Sequence, residues 1–142
     1  MSYTVTVRVF QTNPSSFFEI IEKCVFNYGG GGAWTESNDQ QVLRMNSSGT
    51  CGTLRFESAD RNERFIVALG VHNYERWCDV VTGLVPHDTG VVITPEWYGA
   101  KRSYMREKTL KDYSVTSATG RNIEVKYTVA EGHELKADII IG

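Results

Sequence analysis

The sequence predicts a mainly β protein, a β-sandwich with one helical region, and three observations predict it. Apolar and polar residues alternate with a period of two over most of the chain. The alternating runs are short and are parted by glycine-rich or polar turns, which fits two packed sheets. Only the stretch between about 73 and 112 departs from that pattern and reads as helical.

At 142 residues the chain is one domain by length, 1–142, with enough residues for a proper core. The formal charge is −2, so no net positive field draws nucleic acid or an anionic membrane. The 3 cysteines, Cys24, Cys51 and Cys78, lack the close spacing of a metal or redox motif and read as reduced thiols. The N-terminus shows no charged segment followed by an apolar one, so the expected location is cytoplasmic. No apolar run approaches the length of a membrane span.

Tyr3, Val5, Val7 and Val9 alternate with Thr4, Thr6 and Arg8 as a half-buried strand, and Asn13-Pro14-Ser15-Ser16 turns it. Phe17 to Tyr28 fits two patterns. Phe17, Ile20, Ile21 and Cys24 have helical spacing behind a capping box of Ser16 and Glu19, yet Phe18, Ile20, Cys24, Phe26 and Tyr28 line one side of an extended chain. Gly29 to Gly32 form a loop that lets another group approach the backbone. Val42 to Met45 is a short strand, Asn46 to Thr50 a polar turn, and Thr53 to Glu57 another strand. Asp60 to Glu63 make a hairpin loop before Phe65 to Leu69, whose unbroken apolar run predicts a central strand.

In the next stretch Trp77, Val80, Val81 and Leu84 recur at i, i+3, i+4 and i+7, so a short helix is expected, capped by Asn73 and stopped by Gly83 and Pro86. Asn73 and Asp79 would then lie ~240° apart around the helix, on opposite flanks. Val91 to Ile93 reads as a strand, and Thr94-Pro95 as the start of a helical region running to Lys111. Tyr113 to Val115, Ile123 to Val129 and Leu135 to Ile141 close the chain as strands, the last two joined as a hairpin.

The residues favour binding over catalysis. His72, His87 and His133 have no metal-ligand spacing, no nucleophile elbow occurs, and no acid sits on an apolar face that would raise its pKa. No catalytic residue, metal or cofactor is therefore expected. Sugars are sorted by fixed donors and acceptors, because a buried polar group left unpaired costs free energy. Three loops offer such groups, at Tyr28 to Gly32, Ser47 to Thr50 and His72 to Tyr74, and a second cluster combines Asp79, Thr82, Arg102 and Tyr113.

Val71-His72-Asn73-Tyr74 with Arg76-Trp77-Cys78-Asp79-Val80-Val81-Thr82 resembles the fungal fruit-body lectin family. The likeness extends to Val7 to Asn13, Ser48-Gly49-Thr50 and Tyr127 to Gly132, and so spans the chain. The resemblance implies an all-β, actinoporin-like sandwich of two antiparallel sheets joined by a helix-loop-helix, with strands over Phe17 to Tyr28. It implies a homotetramer whose subunits bind glycans at two places. One site, for Gal-β1,3-GalNAc (the T-antigen) or GalNAc, falls on Gly29, Gly30, Ser48, Gly49, His72 and Asn73. The other, for terminal N-acetylglucosamine, falls on Asp79, Val80, Thr82, Arg102 and Tyr113. A role in fungal storage or defence goes with these ligands. The shared fold raises the alternative of an actinoporin-like pore-forming cytolysin. That function calls for a detachable amphipathic N-terminal helix, whereas this N-terminus reads as a strand, so no membrane insertion is expected.

Overall fold

The computed structural model describes residues 2–27 and 30–142. Ten strands form two sheets: β1 (Tyr3–Gln11), β2 (Phe18–Asn27), β3 (Gly32–Ser37), β4 (Gln40–Met45), β5 (Thr50–Ser58), β6 (Arg64–His72), β7 (Glu75–Val81), β8 (Asp112–Thr116), β9 (Asn122–Val129) and β10 (Glu134–Ile141). The larger sheet has the order β3-β4-β1-β10-β9-β8 and the smaller one β2-β5-β6-β7. Neighbours run antiparallel except β1 and β10, the first and last strands, which pair in parallel from Thr4 opposite Glu134 to Gln11 opposite Ile141. The β-sandwich expectation holds, with that one parallel pair at the centre of the larger sheet.

Alternation decides what meets between the sheets. Val5, Val7, Leu43, Ile123, Val125 and Ile139 point inward from the larger sheet, against Leu54, Phe56, Phe65, Val67, Leu69, Cys78 and Val80 from the smaller. The outer face of the smaller sheet is also sealed. Cys51, Ile66, Ala68, Trp77 and Val81 lie under Ile93, Trp97 and Met105 from a helical strap. That strap comprises α1 (Gly90–Ile93), a 3-10 turn (Thr94–Tyr98) and α2 (Ser103–Glu107).

Burial on both faces explains the largest departure from the sequence reading. Residues 75–81 are strand β7, not a helix. The helical spacing of Trp77, Val80 and Val81 arises because Trp77 and Val81 enter the outer cluster while Val80 enters the inner core. A strand buried on both sides has no polar face left to show a period of two. Asn73 caps no helix. With Tyr74 it forms the two-residue turn between β6 and β7, at φ 50° and 65°.

Val91 to Ile93, read as a strand, belongs to α1. The Thr89 hydroxyl accepts from Val92 N–H, and Glu22 of β2 accepts from the N–H groups of Gly90 and Val91. This tertiary contact outweighs the β preference of two valines. The turn at Thr94–Tyr98 starts with proline as expected, whereas only Ser103–Glu107 is α-helical in the rest of that region. Phe18–Asn27 is a strand, as the resemblance implied, and Phe65 to Leu69 lies within an inner strand. Strand β3 had no sequence signal. Trp34 anchors it by donating from Nε1 to the Cys24 carbonyl at 2.9 Å.

Candidate functional site

At one pole of the sandwich three turns converge: the β2–β3 loop, the β4–β5 turn and the β6–β7 hairpin. Asn73 and Tyr74 have positive φ because a two-residue hairpin follows the twist of its strands only in that conformation. This turns the Tyr74 N–H outward, where it donates to Ser48 Oγ at 3.0 Å. Gly49, at φ 91°, donates its N–H to the Val71 carbonyl at 2.8 Å. The β4–β5 turn and the hairpin are thereby fixed to one another. The β2–β3 loop joins them through Asn46, whose Nδ2 donates to the Gly30 carbonyl at 2.8 Å and whose N–H donates to Gly31.

His72 ends β6 with Nε2 3.2 Å from Glu107 Oε2 and 3.3 Å from Asn73 Nδ2. One ring nitrogen cannot donate to the carboxylate and accept from the amide together, so the His72 tautomer selects between these contacts. The Arg106 guanidinium, and then His72, hold the Glu107 carboxyl below the usual range. Gly30, Ser48, Gly49, His72 and Asn73 thus lie at one pole, while Gly29 lies outside the described residues. Asn46, Tyr74 and Glu107 join them. Sequence reasoning placed Asn46 and Tyr74 in the right loops, but nothing in the sequence pointed to Glu107.

A second cluster lies beneath the strap. Asp79 is 3% exposed on the outer face of β7. Its Oδ1 accepts from Val80 N–H at 2.8 Å, and its Oδ2 accepts from Trp97 Nε1 at 2.9 Å. Burial pushes the Asp79 carboxyl up, against the opposing pull of Trp97, the Val80 N–H, Arg102 and Lys108. Arg102 donates to Glu96 Oε1 at 2.7 Å and lies over the Trp97 ring. Burial, followed by the charges at Asp79 and Tyr104, raises the Tyr113 hydroxyl. Asp79, Arg102 and Tyr113 therefore share one neighbourhood, with Trp97 as its hub.

Val80 does not share it through its side chain, which lies in the inner core. Strand β7 is a sheet edge, so Val80 offers main-chain groups there instead, and its N–H already faces Asp79. Thr82, half-buried, follows the strand end. The separation of Asn73 from Asp79 stands for a different reason than a helical rotation. One lies in a hairpin turn, the other four residues into the strand that follows it, roughly 15 Å away. Sequence reasoning missed Trp97. A buried tryptophan needs an acceptor for its N–H, and that need was the available signal.

Among the described residues no group of three or more His, Cys, Asp or Glu side chains is arranged to hold a metal. No helix among the described residues is long and apolar enough to cross a membrane. A stiff two-sheet body with short hydroxyl and amide groups fixed at one pole, and a shielded carboxylate held by two N–H donors, has the chemistry that carbohydrate binding calls for. The sequence matches the family described as fungal fruit body lectin over residues 1–139. It is 54% identical over 142 residues to the Boletus edulis lectin, covering 99% of each chain. The crystal structure of wild-type Xerocomus chrysenteron lectin superimposes with a TM-score of 0.97 at 53% identity, covering 100% of both chains. A methionine-substituted form of that lectin, solved at 1.4 Å, gives the same TM-score and identity over 100% of this chain and 99% of its own. The chain belongs to the fungal fruit body lectin family. Lectins hold carbohydrate without making or breaking its bonds, and the protein is of that non-enzymatic class.

Proposed function

We propose that residues 1–142 act as one lectin domain that binds two different sugars at two separate places. Gal-β1,3-GalNAc, or GalNAc alone, binds at the pole formed by Gly30, Ser48, Gly49, His72 and Asn73. Terminal N-acetylglucosamine binds over Asp79, Arg102, Tyr113 and Thr82, with the Val80 main chain as a further contact. The observation that carries this reading is the tie from Tyr74 N–H to Ser48 Oγ. It holds the Asn73 amide in place beside a second turn, so hydroxyl partners are set before a ligand arrives. Assembly as a homotetramer multiplies weak single-site binding into avidity for glycosylated surfaces.

Titration calorimetry with each sugar, alone and in sequence, tests the two-site reading. Asn73→Ala weakens the disaccharide by about tenfold, roughly 1.4 kcal/mol, and leaves N-acetylglucosamine unchanged. Tyr113→Phe does the reverse. Equal loss of both ligands in either variant overturns the arrangement. Light scattering of the unliganded protein reads the tetramer directly.

A further inference from the structure

The opposite pole of the sandwich carries a concave surface that neither proposed site uses. It lies at the Arg64 end of β6, about 26 Å along that strand from His72. The β5–β6 hairpin, the turn before β2 and the loop before β9 enclose a cleft of about 320 Å³, within the ~300–1,000 Å³ of small-ligand pockets.

Its floor is an ion pair. Arg121 donates from Nε to Glu63 Oε1 at 3.1 Å, with both side chains mostly shielded from solvent. Arg121 also donates to Ser16 Oγ at 3.0 Å and to the Gly142 carbonyl, while Glu63 Oε2 accepts from Ser117 Oγ at 3.2 Å. The two charges are turned on each other and tie four chain segments together. One wall is Asp60, whose Oδ1 accepts from Ser58 Oγ at 2.6 Å and from Asn62 N–H at 3.1 Å. The Asn62 side chain bonds the same carboxyl, so Asp60 and Asn62 present one joined polar wall.

The other wall is Phe17, an aromatic ring 58% exposed. It is not a loose side chain on a loose turn. The Phe17 carbonyl accepts from Ala59 N–H at 2.8 Å, and the Gln11 side chain bonds both the N–H and the carbonyl of Phe18. Three hydrogen bonds fix the main chain that presents this exposed ring at the edge of the cleft.

We propose that this cleft is a third binding site, taking a neutral pyranose whose C–H face lies on Phe17 while adjacent hydroxyls bond Asp60 and Asn62. The floor favours a neutral ligand. An anion would meet a guanidinium already occupied by Glu63 and two carboxylates beside it. A simple cation would meet one exposed carboxylate, a weak attraction in water, and would leave the aromatic wall unused. A pyranose uses both walls, because its ring has an apolar face and a rim of donors and acceptors. With sites at both poles, a single chain would bridge two glycans.

The test is amide-shift titration of the ¹⁵N-labelled protein with methyl β-galactoside, methyl β-glucoside, methyl α-mannoside and methyl α-fucoside, each to tens of millimolar. At least one probe shifts the amides of 58–63 and 119–121 saturably. Phe17→Ala and Asp60→Asn each weaken that binding by about fivefold or more, and the response of the Asn73 hairpin to Gal-β1,3-GalNAc stays unchanged in both. Repeating the active probe as its free reducing sugar separates recognition of a glycan terminus, which needs the glycosidic form, from recognition of a soluble monosaccharide. Absence of saturable shifts at that pole with all four probes, or shifts that survive either substitution, overturns the third site. Because the two poles are read separately, failure of this site and failure of the Asn73 site are distinguishable.

Discussion

Replacing Tyr74 by glycine tests how the hairpin between β6 and β7 is held. Asn73 and Tyr74 sit at φ 50° and 65°. Asparagine tolerates that region, but a tyrosine pays roughly 1–2 kcal/mol for the approach of its Cβ to the following carbonyl. Little packing offsets the strain, since Tyr74 is 80% exposed. Glycine removes the strain and adds about 0.5–1 kcal/mol of unfolded-state entropy that folding must overcome. The bond to Ser48 survives, because its donor is the main-chain N–H. The net expectation is stabilisation by about 0.5–1 kcal/mol, or a melting temperature higher by roughly 1–4 °C for a chain of this size. Urea unfolding followed by tryptophan fluorescence reads it, with an unchanged m-value. Asn73→Gly is the control and should gain nothing. A Tyr74→Gly protein no more stable than the parent would refute the strain account. A gain in stability together with a loss of disaccharide affinity would place the Tyr74 ring against the ligand.

Other substitutions probe the body and the second cluster. Gly70→Ala puts a Cβ 2.7 Å from both Cys51 Cβ and Trp77 Nε1, so it should destabilise by about 1–3 kcal/mol, as read by denaturant midpoint; a neutral result would mean the outer core yields more easily than its packing suggests. Burial pushes the Cys51 and Cys78 thiols up to about 12 and Cys24 to about 11. A disulfide reagent at mildly alkaline pH should therefore label native protein slowly, and all three cysteines only after unfolding; prompt labelling of the native form contradicts it. Trp97→Phe removes the N–H that Asp79 Oδ2 accepts. A charged acceptor loses about 1.5–3 kcal/mol in this way and a neutral one about 0.5–1.5. Because burial raises the folded Asp79 pKa above its unfolded value, Asp79 favours the fold most below the unfolded pKa, and that contribution is lost as pH rises through the folded one. The Trp97→Phe penalty should thus be larger at pH 7 than at pH 4, and a penalty independent of pH would show that Asp79 is not ionised in the fold.

The legible parts of the fold are those that bury one face. β1 and β9 alternate because their outer faces meet water, and the turns at the Asn73 pole were legible as clusters of glycine, serine and asparagine. β7 was illegible because the strap covers its outer face, which turns Glu75–Val81 into a mixed apolar run that imitates a helix. α1 was illegible for the converse reason: its start is fixed by Glu22, far away in sequence. The second cluster was partly legible. Asp79, Arg102 and Tyr113 were identified by resemblance, but Trp97, which holds Asp79, lies in a segment whose own pattern said only that it was helical.

Asp79 is the residue whose position the fold alone does not explain. Its carboxylate is buried on the outer face of β7, between the outer core and the strap. An apolar side chain of similar size could fill that space without the desolvation penalty that raises its pKa. The neighbours are arranged for the charged form: two N–H groups donate directly, and Arg102 and Lys108 pull in the same direction. A carboxylate kept in a costly place, with donors fixed on it and Tyr113 nearby, has the properties of an acceptor prepared for hydroxyl groups. The polar groups at the Asn73 pole require no such explanation, since turns expose them in any sandwich. The desolvation of Asp79 is therefore consistent with the second sugar site proposed beneath the strap.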